Sequence, residues 1–170
     1  RLLGAELPTL GAVLRAGELH RAMSLGASST ATIGPDEIRY RPTVPDPENI
    51  ICIGINYGNR NEEYKDGAEA PRYPSVFMRT PGSLVGHREP LWNPPESDQL
   101  DYEGEIVLVI GKAGRRIAAS EALSHVAGLT LMNEGSVRDW LRHSKFNVTP
   151  GKNFERSGSL GPWLVTLDEI

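Results

Sequence analysis

Glu103 and Glu105 stand two residues apart in Asp101-Tyr102-Glu103-Gly104-Glu105, at the head of the apolar run Ile106 to Ile110. Successive strand side chains alternate faces, so both carboxylates leave the same side of a strand, with Cα atoms roughly 7 Å apart. Two acids side by side repel each other unless a positive charge lies between them. A hard divalent cation such as Mg²⁺, Mn²⁺ or Ca²⁺ meets that need, because these ions take oxygen ligands. The competing reading is a solvated outer sheet face, where an acid at every second position is ordinary. Asn133-Glu134-Gly135 offers a third carboxylate at the carboxyl end of the next strand. It can complete a three-acid oxygen site, or merely favour the positive end of a following helix. Arg138 is expected one turn into that helix, on the same face as Glu134. Its planar fork suits a substrate carboxylate, and it equally suits an ion pair with Glu134. Lys152, in Gly151-Lys152-Asn153-Phe154, is a second cation on what reads as a loop, where a lone lysine is ordinarily solvated. Trp140 and Trp163 read as core or pocket wall.

The elements that must carry these residues are short. Eighteen glycines and 13 prolines are spread over 170 residues, which reads as many strands joined by turns with few long helices. Leu10, Val13, Leu14 and Leu19 predict one short amphipathic helix within residues 10–25. Arg41-Pro42-Thr43-Val44-Pro45-Asp46-Pro47 reads as a semi-rigid extended linker, since proline fixes φ and donates no hydrogen bond. It divides residues 1–45, a small N-terminal domain and linker, from residues 46–170, the larger domain. Ile50-Ile51-Cys52-Ile53-Gly54-Ile55 is a continuous apolar run, expected to be a strand buried on both faces. Residues 71–95 hold six prolines and one strand candidate, Val76 to Arg79. Asp101 to Ile110 is the strongest strand signal. A short helix capped by Ser120 should follow and end at Gly128, ahead of a strand from Leu129 to Met132. Ser136 with Asp139 resembles a capping box that opens a helix through His143. Trp163 to Thr166 reads as a last strand. The fold class is mixed and β-rich, of the α+β kind. A chain that runs from Arg1 to Ile170, inside what reads as a strand and its turn, is expected to be a fragment.

Composition narrows the function. A balance of 18 Lys+Arg against 22 Asp+Glu gives a net charge of −4, which argues against nucleic acid as a partner. No apolar run approaches the roughly 18 residues of a membrane span, and no signal peptide is evident. One cysteine, Cys52, excludes an internal disulfide framework and fits a reducing compartment, the cytoplasm. His20, His87, His125 and His143 share no metal-ligand spacing, which disfavours zinc. The Gly-x-Ser-x-Gly elbow, the P-loop and the dinucleotide fingerprint are all missing, so serine hydrolase and nucleotide chemistry lack support.

In order along the chain, Ile51-Cys52-Ile53-Gly54-Ile55-Asn56-Tyr57, Pro74 to Arg79, Asp101 to Glu105, Val109 to Lys112, Asn133 to Asp139, Gly151 to Phe154 and Gly161 to Thr166 resemble the motifs of the fumarylacetoacetate hydrolase family. The resemblance runs from about residue 49 to the end. It implies a β-roll-like catalytic domain, a smaller N-terminal domain and a homodimer. It implies a divalent cation, Mg²⁺ first and Mn²⁺ or Ca²⁺ as alternatives, held by Glu103, Glu105 and Glu134. Tyr57, Arg138 and Lys152 would then bind a small oxo acid or diketo acid. Such enzymes hydrolyse C–C bonds, decarboxylate or isomerise, and aromatic-compound breakdown is the expected setting. The cation would stabilise an enolate as a Lewis acid.

Two departures bear on the reaction. The family's third acidic ligand is an Asp, and Glu134 is one methylene longer. Arg60 stands at the catalytic position where many members carry a histidine that activates water, and arginine is no base near neutral pH. Glu62 and Glu63 are the nearby substitutes. Enolisation or decarboxylation of a 2-oxo acid is therefore expected to outpace hydrolysis of acylpyruvates. The alternative is a catalytically silent relative that keeps the fold for assembly.

Overall fold

A computed structural model describes residues 3–57, 72–143 and 147–170. Its centre is the antiparallel pair β5 (Gly104–Ile110) and β6 (Val126–Asn133), in register from Gly104 opposite Asn133 to Ile110 opposite Val126. The far edge of β6 carries β8 (Gly158–Leu160), antiparallel, and β8 carries β3 (Leu84–Val85), parallel, so the order is β3-β8-β6-β5. Leu84, Met132 and Leu160 form the buried core of this sheet, with Ile50 and Val107 packed against it. Two ribbons flank it. One pairs β1 (Ile50–Gly54) with β2 (Ser75–Arg79), and the other pairs β4 (Leu100–Asp101) with β7 (Ser136–Val137). The β-rich reading is correct, but the described residues form three open sheets rather than a closed roll.

Several expected elements differ for identifiable reasons. The first helix is two, α1 (Leu10–Arg15) and α2 (Leu19–Ala27), because Gly17 adopts φ 70° between them. The α1 N-cap is Thr9, whose hydroxyl accepts from the Ala12 amide and donates to Asp46; Arg15 pairs with the same carboxylate. Thus α1 docks on the proline-rich segment 41–47. Strand β1 is buried on one face only: Ile51 and Ile53 are exposed, while Ile50 and Cys52 turn inward. In a two-stranded ribbon, alternation leaves every second side chain outside.

The long strand expected over residues 101–110 breaks at Tyr102 and Glu103, where the chain leaves β7 and joins β6. Gly128 does not end a helix. It lies within β6, where a Cβ would overlap the Val165 carbonyl oxygen of the crossing C-terminal segment. That segment is held by a single bridge between Leu129 and Val165 rather than by a full strand. The Ser120 region is a 3₁₀ helix over Ala119–His125 with no side-chain cap. The helix expected from Ser136 is absent: β7 begins there, and only a 3₁₀ turn, Trp140–Arg142, follows. Trp140 packs edge-on against Phe154, whereas Trp163 is exposed and lines no core. No helix among the described residues is long and apolar enough to cross a membrane.

Candidate active site

The break before β5 builds the site. Asp101 stays paired with Ser136, and Gly104 starts the ladder with Asn133, so Tyr102 and Glu103 bridge two sheets. The Glu103 backbone is fastened on both sides: its amide donates to Asn133 Oδ1 (3.3 Å), and its carbonyl accepts from the Glu134 amide (2.7 Å). Glu105 lies one ladder position into β5, and Glu134 immediately follows the end of β6. As a result, carboxylate oxygens of Glu103, Glu105 and Glu134 lie within 4.8 Å of one another. Among the described residues, no other group of three or more side chains of His, Cys, Asp or Glu gathers in this way.

Positive charge enters from one side. Lys152 sits in a helical turn, Thr149–Lys152, and is buried. Its Nζ donates to Glu103 Oε2 (2.8 Å) and Glu134 Oε2 (3.0 Å), and lies 5.1 Å from the centroid of the Phe77 ring. Arg138 donates from Nη1 to Glu103 Oε1 (2.8 Å) and from Nε to Asp101 Oδ2 (3.0 Å). Ser136 also donates to Glu103 Oε1, at 2.8 Å. The expected i, i+4 route from Glu134 to Arg138 is corrected here. No helix joins them, and Arg138 reaches the site from the end of β7.

These partners separate the three acids. Burial works to raise the Glu103 pKa, but hydrogen bonds from Lys152 and Ser136 and the charges of Lys152 and Arg138 outweigh it and hold the carboxyl below its ordinary value. Glu105 moves the other way. Burial, with the nearby charges of Glu134 and Glu103, raises its pKa, and among the described residues the side chain that hydrogen-bonds it is the Tyr57 hydroxyl at 3.4 Å. The Glu105 charge in turn raises the Tyr57 phenol. A carboxylate made uncomfortable by two neighbours, in an all-oxygen set, suits a hard divalent cation. Cys52 lies behind this set. Burial and the adjacent Glu134 carboxylate push its thiol far up, so it stays protonated and is no nucleophile.

The structure therefore brings together Glu103, Glu105, Glu134, Arg138 and Lys152, with Tyr57 at the rim. Arg60, Glu62 and Glu63 fall outside the described residues. Ser136, Asp101 and Cys52 belong to the site without having been assigned to it from the sequence. Period-two alternation along Ile51-Cys52-Ile53 carried a signal for Cys52, since it places the cysteine opposite the two isoleucines. Ser136 carried no such signal, because its cap-like spacing matched a helix instead.

The chain is similar to known proteins over most of its length. Residues 49–170 match the family model described as the fumarylacetoacetate (FAA) hydrolase C-terminal region. The chain is 34% identical over 145 residues to the oxaloacetate tautomerase FAHD2A, mitochondrial, of Homo sapiens, covering 85% of this chain and 46% of that protein. It is 39% identical over 137 residues to the oxaloacetate tautomerase YisK of Bacillus subtilis (strain 168), covering 79% and 45%. A solved structure of 5-carboxymethyl-2-hydroxymuconate delta-isomerase from Mycobacterium smegmatis superposes with a TM-score of 0.69 at 27% identity, over 82% of this chain and 54% of that one. The chain spans about half the length of the curated relatives it matches.

Proposed function

Because this chain belongs to the fumarylacetoacetate hydrolase family, we propose that it is part of a divalent-cation-dependent enzyme that interconverts the keto and enol forms of a small 2-oxo acid. Oxaloacetate is the first substrate to test. The observation that carries the proposal is the convergence of Glu103, Glu105 and Glu134 within 4.8 Å, next to the cations of Lys152 and Arg138. The names of the two tautomerase relatives support the choice of reaction.

In this reading Glu103, Glu105 and Glu134 hold the ion, with Mg²⁺ first and Mn²⁺ or Ca²⁺ as alternatives. When bound, such an ion supplies Lewis acidity toward the oxygens of an oxo acid. Every other role falls to the chain. Ser136, Arg138 and Lys152 fix the Glu103 carboxylate so that it does not rotate as substrate arrives. Lys152 and Arg138 offer donors to the incoming carboxylate and oxo oxygens. Tyr57 can relay a proton at its phenolic oxygen, which already faces Glu105. Glu62 and Glu63, close to Arg60 in sequence, are the candidates for a base, since Arg60 cannot accept a proton. Tautomerisation asks only that a proton move between carbon and oxygen. Hydrolysis also asks for an activated water, so the absent histidine disfavours it.

A second reading rests on the hydroxymuconate isomerase neighbour: the same residues would shift a double bond in an enolic dicarboxylate from aromatic-compound breakdown. Assembly as a homodimer and a cytoplasmic location also belong to the proposal. The first rests on the family resemblance, and the second on the single, half-buried Cys52, although the human relative is named mitochondrial.

The decisive assay follows the ultraviolet absorbance of enol oxaloacetate after mixing with protein, in Mg²⁺, in Mn²⁺ and in EDTA, beside acylpyruvate hydrolysis and oxaloacetate decarboxylation. Cation-dependent loss of the enol, faster than acylpyruvate hydrolysis, is expected. Faster acylpyruvate hydrolysis would overturn the preference for tautomerisation. A protein that binds no cation and turns over none of the three substrates would be the silent relative.

A further inference from the structure

Arg79 closes β2 and is 2% exposed, which makes it the most deeply buried charged side chain among the described residues. Burying a guanidinium is expensive unless something compensates its charge. Yet no carboxylate lies within ion-pair distance of it among the described residues. Each of its three nitrogens instead donates to a neutral oxygen: Nε to Ser83 Oγ (3.1 Å), Nη1 to the Gly135 carbonyl (3.0 Å) and Nη2 to Ser157 Oγ (3.1 Å). Burial lowers its pKa, and the charges of Glu134 and Glu103 oppose that effect from a distance. The carbonyl it grips belongs to the residue directly after Glu134. Gly135 itself has no room for a side chain, because a Cβ would overlap the Ser157 carbonyl oxygen. Ser83 and Ser157 are fully buried. Arg79 thus ties the Glu134-Gly135 turn to the end of β2 and to the residue before β8, three segments far apart in sequence.

We propose that Arg79 is a positioning residue of the cation site: its fork fixes the turn that aims the Glu134 carboxylate at Glu103 and Glu105, without touching the ion. This rests on the cation-site reading above. The fork geometry matters more than the charge. Charge alone makes the opposite forecast, since removing a nearby positive group should tighten binding of a divalent cation. Lysine keeps the charge and loses the three-way fork, so it separates the two effects.

The test is Mn²⁺ binding, read from the electron paramagnetic resonance of free Mn²⁺, on the purified full chain and its Arg79→Lys, Arg79→Met and Ser157→Ala variants. Melting temperatures are recorded on the same samples. Glu105→Ala serves as the control that removes a ligand. Weakening of Mn²⁺ binding by about tenfold or more is expected in Arg79→Lys and Arg79→Met, the scale of losing a group that orients a metal ligand. A smaller weakening is expected in Ser157→Ala, which removes one of the three anchors. If Arg79→Met does not fold, Arg79→Lys and Ser157→Ala carry the test. Unchanged or tighter Mn²⁺ binding in folded Arg79→Lys would overturn the proposal while leaving the cation site intact. Failure of the wild type to bind Mn²⁺ would overturn the cation-site reading, and this proposal with it.

Discussion

At the scale of single residues, the contrast between Glu103 and Glu105 explains most of the site's chemistry. Glu103 is hydrogen-bonded by Lys152, Arg138 and Ser136; among the described residues Glu105 is hydrogen-bonded by the Tyr57 hydroxyl at 3.4 Å, and the charges of Glu134 and Glu103 outweigh that of Lys152 upon it. The Glu105 pKa is raised in the folded chain. Its favourable contribution is therefore present below the ordinary carboxylate range and lost as pH rises through the raised value. Glutamine carries no charge at any pH. In EDTA, Glu105→Gln should melt higher than the wild type at pH 7, and the gain should fade below about pH 4, where the wild-type carboxyl is also neutral. The same variant should lose Mn²⁺ binding. A lower melting temperature at pH 7, or a gain that ignores pH, would show that Glu105 is not held under electrostatic tension. The acids themselves were legible in the sequence from the two-residue spacing of Glu103 and Glu105 and from Glu134 after an apolar run, although Glu103 lies in the break before β5 rather than on one strand with Glu105. Arg79 and Ser136 were not legible, since the partners that tie them to the site, Gly135 and Ser157 for Arg79 and Glu103 for Ser136, lie tens of residues away and no local pattern encodes them.

Elements repeat that division. Short apolar runs located β1, β2, β5 and β6, although the run at 50–55 was expected to be buried on both faces and β1 is buried on one. The capping-box spacing at Ser136 pointed to a helix that does not form. There the Ser136 hydroxyl shares its one proton between the Glu103 carboxylate (2.8 Å) and the Glu134 carbonyl (3.0 Å), and its backbone pairs with Asp101. A side chain that can cap a helix can equally serve a distant acceptor, and here the distant acceptor wins. The break between β4 and β5 was hidden in the same way, because Tyr102 and Glu103 fit a strand by residue type while the pairing partner changes beneath them. Gly135 is the tightest point of this arrangement. Gly135→Ala should lower stability by at least about 3 kcal/mol, since the added methyl collides with backbone rather than with a flexible side chain. Chemical denaturation of the variant checks this. A loss under about 1 kcal/mol would mean that the turn can shift, and that the close approach of the segments carrying Glu134 and Ser157 is not required.

At the scale of the molecule, the three open sheets of the described residues meet where the acids converge: β4 and β7 bring Asp101 and Arg138, β5 and β6 bring Glu105 and Glu134, and β2 brings Arg79. The site is thus a property of the assembly of sheets, and no single motif contains it. The resemblance of seven ordered segments to one family agrees with the family-model match over residues 49–170. The central claim is that these three carboxylates form a cation site serving an oxo acid. It is tested most directly by a crystal structure of the chain grown with Mg²⁺ and oxalate, a mimic of a pyruvate enolate. The account predicts one ion bonded to oxygens of Glu103, Glu105 and Glu134 at about 2.0–2.1 Å, with oxalate completing its shell and facing Lys152 or Arg138. An empty cluster in which Lys152 still bridges Glu103 and Glu134, or an ion bound elsewhere, would contradict it.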